Sequence, residues 1–183
     1  MRPLVAVVGN NDLVPGDARD VMAEALGRAL VDAGCRVTSG GQNGVMAAAS
    51  RGARSSTAYR EGDVLAFVPG MSHAEANPDV DIVIPTGVGY ARNSIVALSH
   101  AVIAVGGGAG TLSEMAYAWQ YDRLLISMRV GPGWSERLAD QRLDERLRFS
   151  FIPDDCAHGA STAAEAVSIL LEKLPVYLPG IFG

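Results

Sequence analysis

The sequence contains little cysteine, no clustered positive charge and no long apolar run. Among its 183 residues only Cys35 and Cys156 are cysteines, and they form neither a C-x-x-C motif nor a spacing typical of metal ligands. This usage indicates buried or idle thiols in a cytosolic protein. We therefore predict no metal site.

Basic residues are scattered along the chain rather than clustered. All but one of the 15 are arginines, Lys173 is the exception, and the formal net charge is −5. Nucleic-acid binding depends on a basic patch or stripe that neutralises phosphates. The composition therefore argues against nucleic acid as a partner.

Every apolar run is shorter than the roughly 18 residues that indicate a membrane-spanning helix, and no cleavage-site pattern follows the N-terminus. We therefore expect no membrane association and a cytoplasmic location. Hydrophobic residues make up 49% of the chain and charged residues only 19%, with 21 glycines. A chain of this length buries about 70% of its unfolded surface, so we expect one domain spanning residues 1–183.

The segment 103–114, Ile-Ala-Val-Gly-Gly-Gly-Ala-Gly-Thr-Leu-Ser-Glu, is the most informative part of the chain. The apolar run Ala101–Val105 predicts a buried parallel strand, which three glycines end, and the pattern Leu112–Tyr121 predicts a helix. Glycines at such a turn let the backbone approach a ligand, and the first-turn amides and the helix dipole favour an anion. The turn therefore predicts a phosphate site formed by Gly107, Gly108, Gly110 and Thr111.

Glu114 lies one turn into this helix, where a phosphate would repel a carboxylate. We therefore expect Glu114 to bind a sugar hydroxyl or to handle a proton. The alternative is a tight turn in which Thr111 caps the helix and Glu114 is an ordinary acidic residue near its start. The segment is neither a Walker A loop, because Gly-Lys-Ser/Thr is missing, nor a dinucleotide fingerprint after the first strand.

Strand and helix patterns alternate along the chain and predict a single doubly wound, Rossmann-like α/β domain with helices on both faces. The predicted strands are Leu4–Val8, Arg36–Ser39, Asp63–Val68, Asp81–Ile84, Ala101–Val105, Arg123–Met128 and Phe149–Ile152. The predicted helices are Asp17–Ala33, Val45–Arg54, Gly89–His100, Leu112–Tyr121, a loosely helical Val130–Arg148, and Ala163–Leu174. We expect six or seven mainly parallel strands, with Ala101–Val105 central.

Ligands of such sheets bind at the carboxyl ends of the strands, and several glycine-bearing turns are expected to converge at that edge. Arg92 is suited to bidentate bonds with a phosphate or carboxylate, although a surface or interface salt bridge is the alternative. Gln42 and Asn43 are suited to a base or sugar edge, or else are polar loop residues. Met46 is expected in the core. Besides the glycine turn at 107–111, the predicted lining residues are Gly9, Asn10, Asn11, Gly40, Gly41, Gln42, Asn43, Arg92 and Asn93.

The motifs Ser39–Met46 and Gly107–Glu114 together resemble the LONELY GUY (LOG) superfamily, and the likeness extends over roughly Leu4–Leu174. The hallmark of that superfamily is a Pro-Gly-Gly-x-Gly-Thr-x-x-Glu string. Its enzymes cleave cytokinin or nucleoside 5′-monophosphates to a base and ribose 5-phosphate. Its molybdenum cofactor carrier proteins bind a ligand without turnover. In an enzyme of this kind Glu114 and Arg92 would be the catalytic residues.

The chain departs from the enzyme pattern at Gly106, where the enzymes have proline, and at Asn93, where they have lysine. Both departures resemble the carrier branch and its uncharacterised relatives. The resemblance therefore implies that the protein binds a phosphate-bearing ligand, either a molybdopterin-type cofactor or a nucleotide. Hydrolysis of nucleoside 5′-monophosphates is the alternative. No cofactor is expected to be required for folding, and lysine decarboxylase activity is not expected.

We also expect a homo-oligomer, a dimer or a tetramer. The helical segments Val45–Ala49 and Met115–Trp119 carry more apolar residues than one sheet face needs, and relatives pair through such helices. The apolar tail at 178–183 is expected to dock on the body of the protein or on a partner.

Overall fold

The computed structural model describes residues 2–14 and 16–178 and has an α/β fold built on a seven-stranded sheet. The strand order is β4-β3-β2-β1-β5-β6-β7, and every adjacent pair is parallel. This arrangement confirms the predicted doubly wound α/β fold. The strands are β1 Leu4–Gly9, β2 Arg36–Ser39, β3 Val64–Val68, β4 Ile82–Pro85, β5 Ala101–Val105, β6 Leu124–Met128 and β7 His158–Ala160.

Helices cover both faces of this sheet. Residues of α1, α2 and α6 pack in one core layer, and residues of α3, α4 and α5 pack in the other. Two short 3-10 turns, His73–Glu75 and Gly89–Arg92, precede β4 and α3. The helices are α1 Ala18–Asp32, α2 Val45–Arg54, α3 Asn93–Val96, α4 Ala109–Gln120, α5 Trp134–Leu138 and α6 Ala163–Tyr177.

Strand β5 lies inside the sheet, between β1 and β6, one place from the centre that β1 occupies. All five of its residues are fully buried. Ile103 and Val105 point to the layer of α1, α2 and α6, whereas Val102 and Ala104 point to the opposite layer. An apolar strand buried on both faces is what the uninterrupted run at 101–105 predicted. After β1 the chain adds β2, β3 and β4 on one side of it, and then crosses to add β5 on the other side. The carboxyl ends of β1 and β5 are therefore a switch point of the sheet.

The predicted helix Gly89–His100 is wrong in extent, because only Asn93–Val96 is α-helical. Gly89 has a positive φ of 59°, which a helix does not accommodate. The hydroxyls of Ser94 and Ser99 donate to the carbonyls of Ala91 and Val96. Such side-chain bonds give the backbone an alternative to a continuous helix.

The region after β6 also differs from the prediction. Only Trp134–Leu138 of the predicted helix 130–148 is helical. The positive φ of Gly131 before α5 and of Asp140 after it interrupts the helical backbone. The predicted strand Phe149–Ile152 is wrong. That segment is a turn whose Phe149 ring packs edge-on against Tyr177 of α6, and the seventh strand lies further along, at β7.

The apolar helical residues that motivated the oligomer prediction lie inside the chain. Val45, Ala48, Met115 and Ala118 are 0% exposed. They therefore do not supply a free apolar surface, and the homo-oligomer stays a prediction. The tail that we expect to dock lies outside the described residues, except for Leu178. Within the described part of the chain, no helix is long and apolar enough to cross a membrane.

Candidate functional site

A cavity of about 280 Å³ opens at the carboxyl ends of β1 and β5. It lies at the switch point of the sheet, where ligands of doubly wound folds bind. Asp12 and Tyr90 also line it, as does Met46, which is buried as expected. The predicted residues that line it are Gly9, Asn10, Asn11, Gln42, Arg92, Asn93, Gly108, Gly110, Thr111 and Glu114.

The first turn of α4 forms one wall of this cavity. Gly108 is the N-cap, and a Cβ added to it would meet no atom within 4 Å. A Cβ on Gly110 would have Asn93 as its nearest neighbour, at 4.0 Å. The first amides of a helix have no partner within the helix, and they carry the positive end of its dipole. This wall is therefore a surface of bare backbone suited to an anion.

Arg92 and Glu114 form a buried ion pair in the cavity. Arg92 Nη1 donates to Glu114 Oε1 at 3.1 Å, and the two side chains are only 5% and 7% exposed. Arg92 Nη2 also donates to Gln42 Oε1 at 3.3 Å. The buried Arg92 Nε has no hydrogen-bond partner among the described residues. A buried donor without a partner costs free energy, and a ligand acceptor could satisfy this N–H only if the site opened around it.

Glu114 is electrostatically unusual. Burial raises the pKa of Glu114 from its ordinary 4.5 to about 7, against the lowering effect of the Arg92 guanidinium. A carboxyl group with such a pKa is half-protonated near neutrality, so it can donate a hydrogen bond or transfer a proton. Perturbed carboxyl groups in a cleft are typical of functional sites, although structural ion pairs also shift pKa values.

Asn10 connects the two sides of the cavity. Its side-chain Oδ1 accepts the Gly107 N–H at 2.7 Å and Arg19 Nη1 at 3.2 Å. Its backbone oxygen accepts the Val45 N–H at the start of α2, at 2.9 Å. Asn10 therefore fixes the glycine turn after β5 against the loop after β1.

Four predicted residues, Gly40, Gly41, Asn43 and Gly107, do not line the cavity, and two of them act as supports. A Cβ on Gly40 would lie 2.2–2.4 Å from the Arg92 guanidinium, so only glycine lets Arg92 lie where it does. Gly107 has a φ of +95° and donates its N–H to Asn10. Their role in this geometry is to position the residues that reach the cavity.

Three residues support or line this site without having been predicted. Asn77 is buried, and its Nδ2 donates to the carbonyls of Gly41 and Gln42, which holds that turn. Asp12 lies in the loop after β1 and Tyr90 in the 3-10 turn Gly89–Arg92, and tertiary packing brings both to the cavity. No sequence motif marks any of the three, although Tyr90 stands only two residues before Arg92.

No group of three or more His, Cys, Asp or Glu side chains within residues 2–14 and 16–178 is arranged to hold a metal ion. Cys35 is buried, Cys156 Sγ lies 3.4 Å from the Nδ1 atom of His158, and neither cysteine lines the cavity. Burial raises the pKa of both thiols, which makes them poor nucleophiles.

The sequence pattern of the SLOG cluster4 family matches residues 2–160, and the chain belongs to this family. A protein of Archaeoglobus fulgidus is 37% identical over 109 residues, which make up 59% of this chain and 69% of that protein. That relative is described only as an uncharacterized protein.

Two similar solved structures are named for a cofactor. The molybdenum cofactor binding protein of Rippkaea orientalis is 28% identical, with a TM-score of 0.75 over 94% of this chain and 97% of that one. The molybdenum cofactor carrier protein of Chlamydomonas reinhardtii is also 28% identical, with a TM-score of 0.72 over 96% of this chain and 99% of that one. The predicted resemblance to the LOG/SLOG superfamily, on its carrier-like side, is thereby confirmed.

A more distant structure shares the fold alone. DNA processing protein A of Helicobacter pylori, a single-stranded DNA-binding protein, is 20% identical with a TM-score of 0.62. The similarity covers 93% of this chain and 81% of that protein. The exclusion of nucleic acid by composition therefore stays a prediction.

Proposed function

We propose that this protein binds a small phosphate-bearing ligand in the cavity at β1 and β5 and holds it without consuming it. The ligand class is a molybdopterin-type cofactor or a nucleotide. The observation that carries the proposal is the start of α4, which is stripped of side chains at Gly108 and Gly110 and lines the cavity together with the buried Arg92. A phosphate supplies the acceptors that these amides need and a negative charge that the Arg92 guanidinium attracts.

The cavity lining offers groups that suit a phosphate and groups that suit hydrogen-bond donors. Gly108, Gly110 and Thr111 provide the start of α4 for the phosphate. Glu114, Gln42 and Asp12 provide oxygen acceptors for hydroxyl or amino groups. A molybdopterin-type cofactor carries both kinds of group and would contribute its own redox-active metal. Here the chain would bind and orient that cofactor, and the structures named above for this cofactor support the assignment.

The conformation of Gly106 favours binding without turnover over the LOG-type reaction. Gly106 has a φ of +64°, and its N–H donates to Ser135 Oγ at 2.7 Å. Proline, which LOG enzymes have at this position of the motif, has φ near −65° and no N–H. The glycine turn therefore has a backbone that the proline-bearing motif does not adopt. Asn93, which replaces the lysine of the enzyme motif, donates to Ser113 Oγ at 2.8 Å.

Hydrolysis of a nucleoside 5′-monophosphate is the second candidate, and the raised pKa of Glu114 is the observation that favours it. In that reaction water adds to the sugar carbon as the bond to the base breaks, and the proton that the water loses ends on the departing base. Glu114 would accept a proton from this water or stabilise positive charge on the ribose, and Arg92 would hold Glu114 in place.

Two measurements test the proposal and separate it from hydrolysis. The protein is purified from cells that synthesise molybdenum cofactor, and mass spectrometry identifies the small molecules and metal that copurify. It is then incubated with a panel of nucleoside 5′-monophosphates, and free base is followed by chromatography. We expect a copurifying phosphate-bearing ligand and no base release. Robust base release that is lost in Glu114→Gln, with binding spared, would establish the hydrolase instead.

A further inference from the structure

A second, shallower groove of about 590 Å³ adjoins the cavity. Tyr90, Asn93 and Gly110 line both, so the groove and the cavity form one continuous depression across the start of α4. Tyr117, one helical turn beyond Ser113 on α4, lines only the second groove. A ligand that begins in the cavity can therefore extend past Tyr90 without leaving the surface of the protein.

The size of the cavity argues that a whole nucleotide or pterin does extend past it. Its volume of about 280 Å³ lies just under the range of about 300–1,000 Å³ that is typical of ligand pockets. The helix-start amides of the cavity suit a phosphate, and its polar acceptors suit the hydroxyls that adjoin the phosphate. A planar ring then has to lie in the more open second groove.

Two tyrosines give this groove an aromatic lining. Tyr90 is 85% exposed and belongs to the 3-10 turn Gly89–Arg92, so it stands at the rim two residues before the cavity arginine. Tyr117 is half-buried, and its ring stacks on Tyr121 with centroids 5.8 Å apart and planes 16° apart. Tyr117 is therefore a fixed wall, whereas Tyr90 is free of packing constraints and can close onto a ring. Tyrosine orders at low entropic cost because it has only two side-chain torsions.

We propose that the second groove binds the planar heterocyclic ring of the ligand and that Tyr90 stacks on it, which makes Tyr90 a specificity-determining residue. The inference rests on the proposed function, because the phosphate must occupy the cavity at Gly108 for the ring to lie beside Tyr90. Aromatic stacking tolerates any flat heterocycle. The protein should therefore prefer ring-bearing phosphates to ring-free ones without strong selectivity among rings.

The test compares two probes by isothermal titration calorimetry. Ribose 5-phosphate has no ring of this kind. Formycin 5′-monophosphate carries a purine-like ring joined to the sugar by a carbon–carbon bond, so hydrolysis does not disturb the titration. We compare the wild type with Tyr90→Ala, with Tyr90→Phe, and with Phe151→Ala as the control. Phe151 is also an exposed aromatic residue, 59% exposed, and lines a different groove.

We expect the wild type to bind formycin 5′-monophosphate more tightly than ribose 5-phosphate. Tyr90→Ala should weaken binding of formycin 5′-monophosphate by roughly 5- to 150-fold, the range for loss of one base–aromatic stack, and should weaken ribose 5-phosphate binding far less. Tyr90→Phe and Phe151→Ala should bind both probes as the wild type does.

Equal affinities for the two probes, or an unchanged affinity of Tyr90→Ala for formycin 5′-monophosphate, would overturn this inference and leave the proposed function standing. Failure of the wild type to bind either probe would overturn both. A change in mass by light scattering in Tyr90→Ala would also contradict the inference, because it would assign Tyr90 to an interface between copies of the chain.

Discussion

Glu114→Gln is expected to stabilise the ligand-free protein at neutral pH and to leave its stability unchanged at acidic pH. The pKa of Glu114 rises from 4.5 to about 7 on folding, chiefly through burial. Because one pKa unit corresponds to about 1.4 kcal/mol, ionised Glu114 costs the folded state roughly 3 kcal/mol. Glutamine keeps the shape of the side chain and an oxygen acceptor for Arg92, but it carries no charge.

The sign of the pH dependence follows from which state holds the proton more tightly. Between pH 4.5 and about 7 the folded protein binds this proton and the unfolded chain has lost it. The free energy of unfolding of the wild type therefore falls, relative to the variant, as pH rises through that window. Below it both proteins carry a neutral side chain. Above it the variant should be more stable by roughly 3 kcal/mol.

The assay is urea denaturation of both proteins without ligand, at about pH 4.5, 6, 7 and 8. Glu136→Gln is the control, because Glu136 is exposed on α5 and its replacement should give no pH-dependent difference. The reasoning is refuted if the Glu114→Gln difference is constant with pH. It is also refuted if the variant is less stable than the wild type at pH 8, since the ion pair with Arg92 would then outweigh burial.

Three further predictions concern the glycine turn and the assembly. Gly106→Pro should lower the free energy of unfolding by about 3 kcal/mol or more, because proline can neither adopt the φ of +64° nor donate an N–H to Ser135. An unchanged urea midpoint would contradict this conformation of Gly106. Gly110→Ala should raise helix stability by up to about 1 kcal/mol, because the added Cβ meets nothing closer than Asn93 at 4.0 Å. The same Cβ should weaken ribose 5-phosphate binding, because it projects from the start of α4. A variant that binds more tightly would show that the ligand lies elsewhere. The protein should scatter light as a dimer or tetramer at micromolar concentration, and a monomeric mass would refute the homo-oligomer.

The fold was largely predictable because its signals are local. The run Ala101–Val105 has no charge, and a strand buried on both faces needs none. The segment Val45–Arg54 was predicted with the observed boundaries because its small residues follow a glycine turn. The prediction failed where tertiary contacts decide. Phe149 is aromatic and therefore typical of a strand, but its ring packs on Tyr177 and the chain turns there.

The candidate site was predictable where glycine motifs mark it and unpredictable where packing brings residues in. The glycine turn at 106–111 is recognisable in the sequence because it lies between an apolar strand pattern and a helix pattern, where bare backbone typically binds an anion. The support of Asn77 for the turn at Gly41 depends on a contact across 36 positions, which no local pattern encodes. The role of Gly40 as the space for the Arg92 guanidinium likewise appears only when the two segments meet.

The most direct test of the central claim is a titration of ribose 5-phosphate into the wild type and into Gly108→Val. A Cβ on Gly108 meets no protein atom within 4 Å, and the backbone there is extended rather than left-handed, with φ −101° and ψ −151°. The variant should therefore fold with a loss of no more than about 1 kcal/mol from poorer N-capping. The account predicts that the wild type binds and that Gly108→Val does not, although its thermal unfolding remains cooperative. Equal binding by the two proteins would contradict the claim that a phosphate lies at the start of α4.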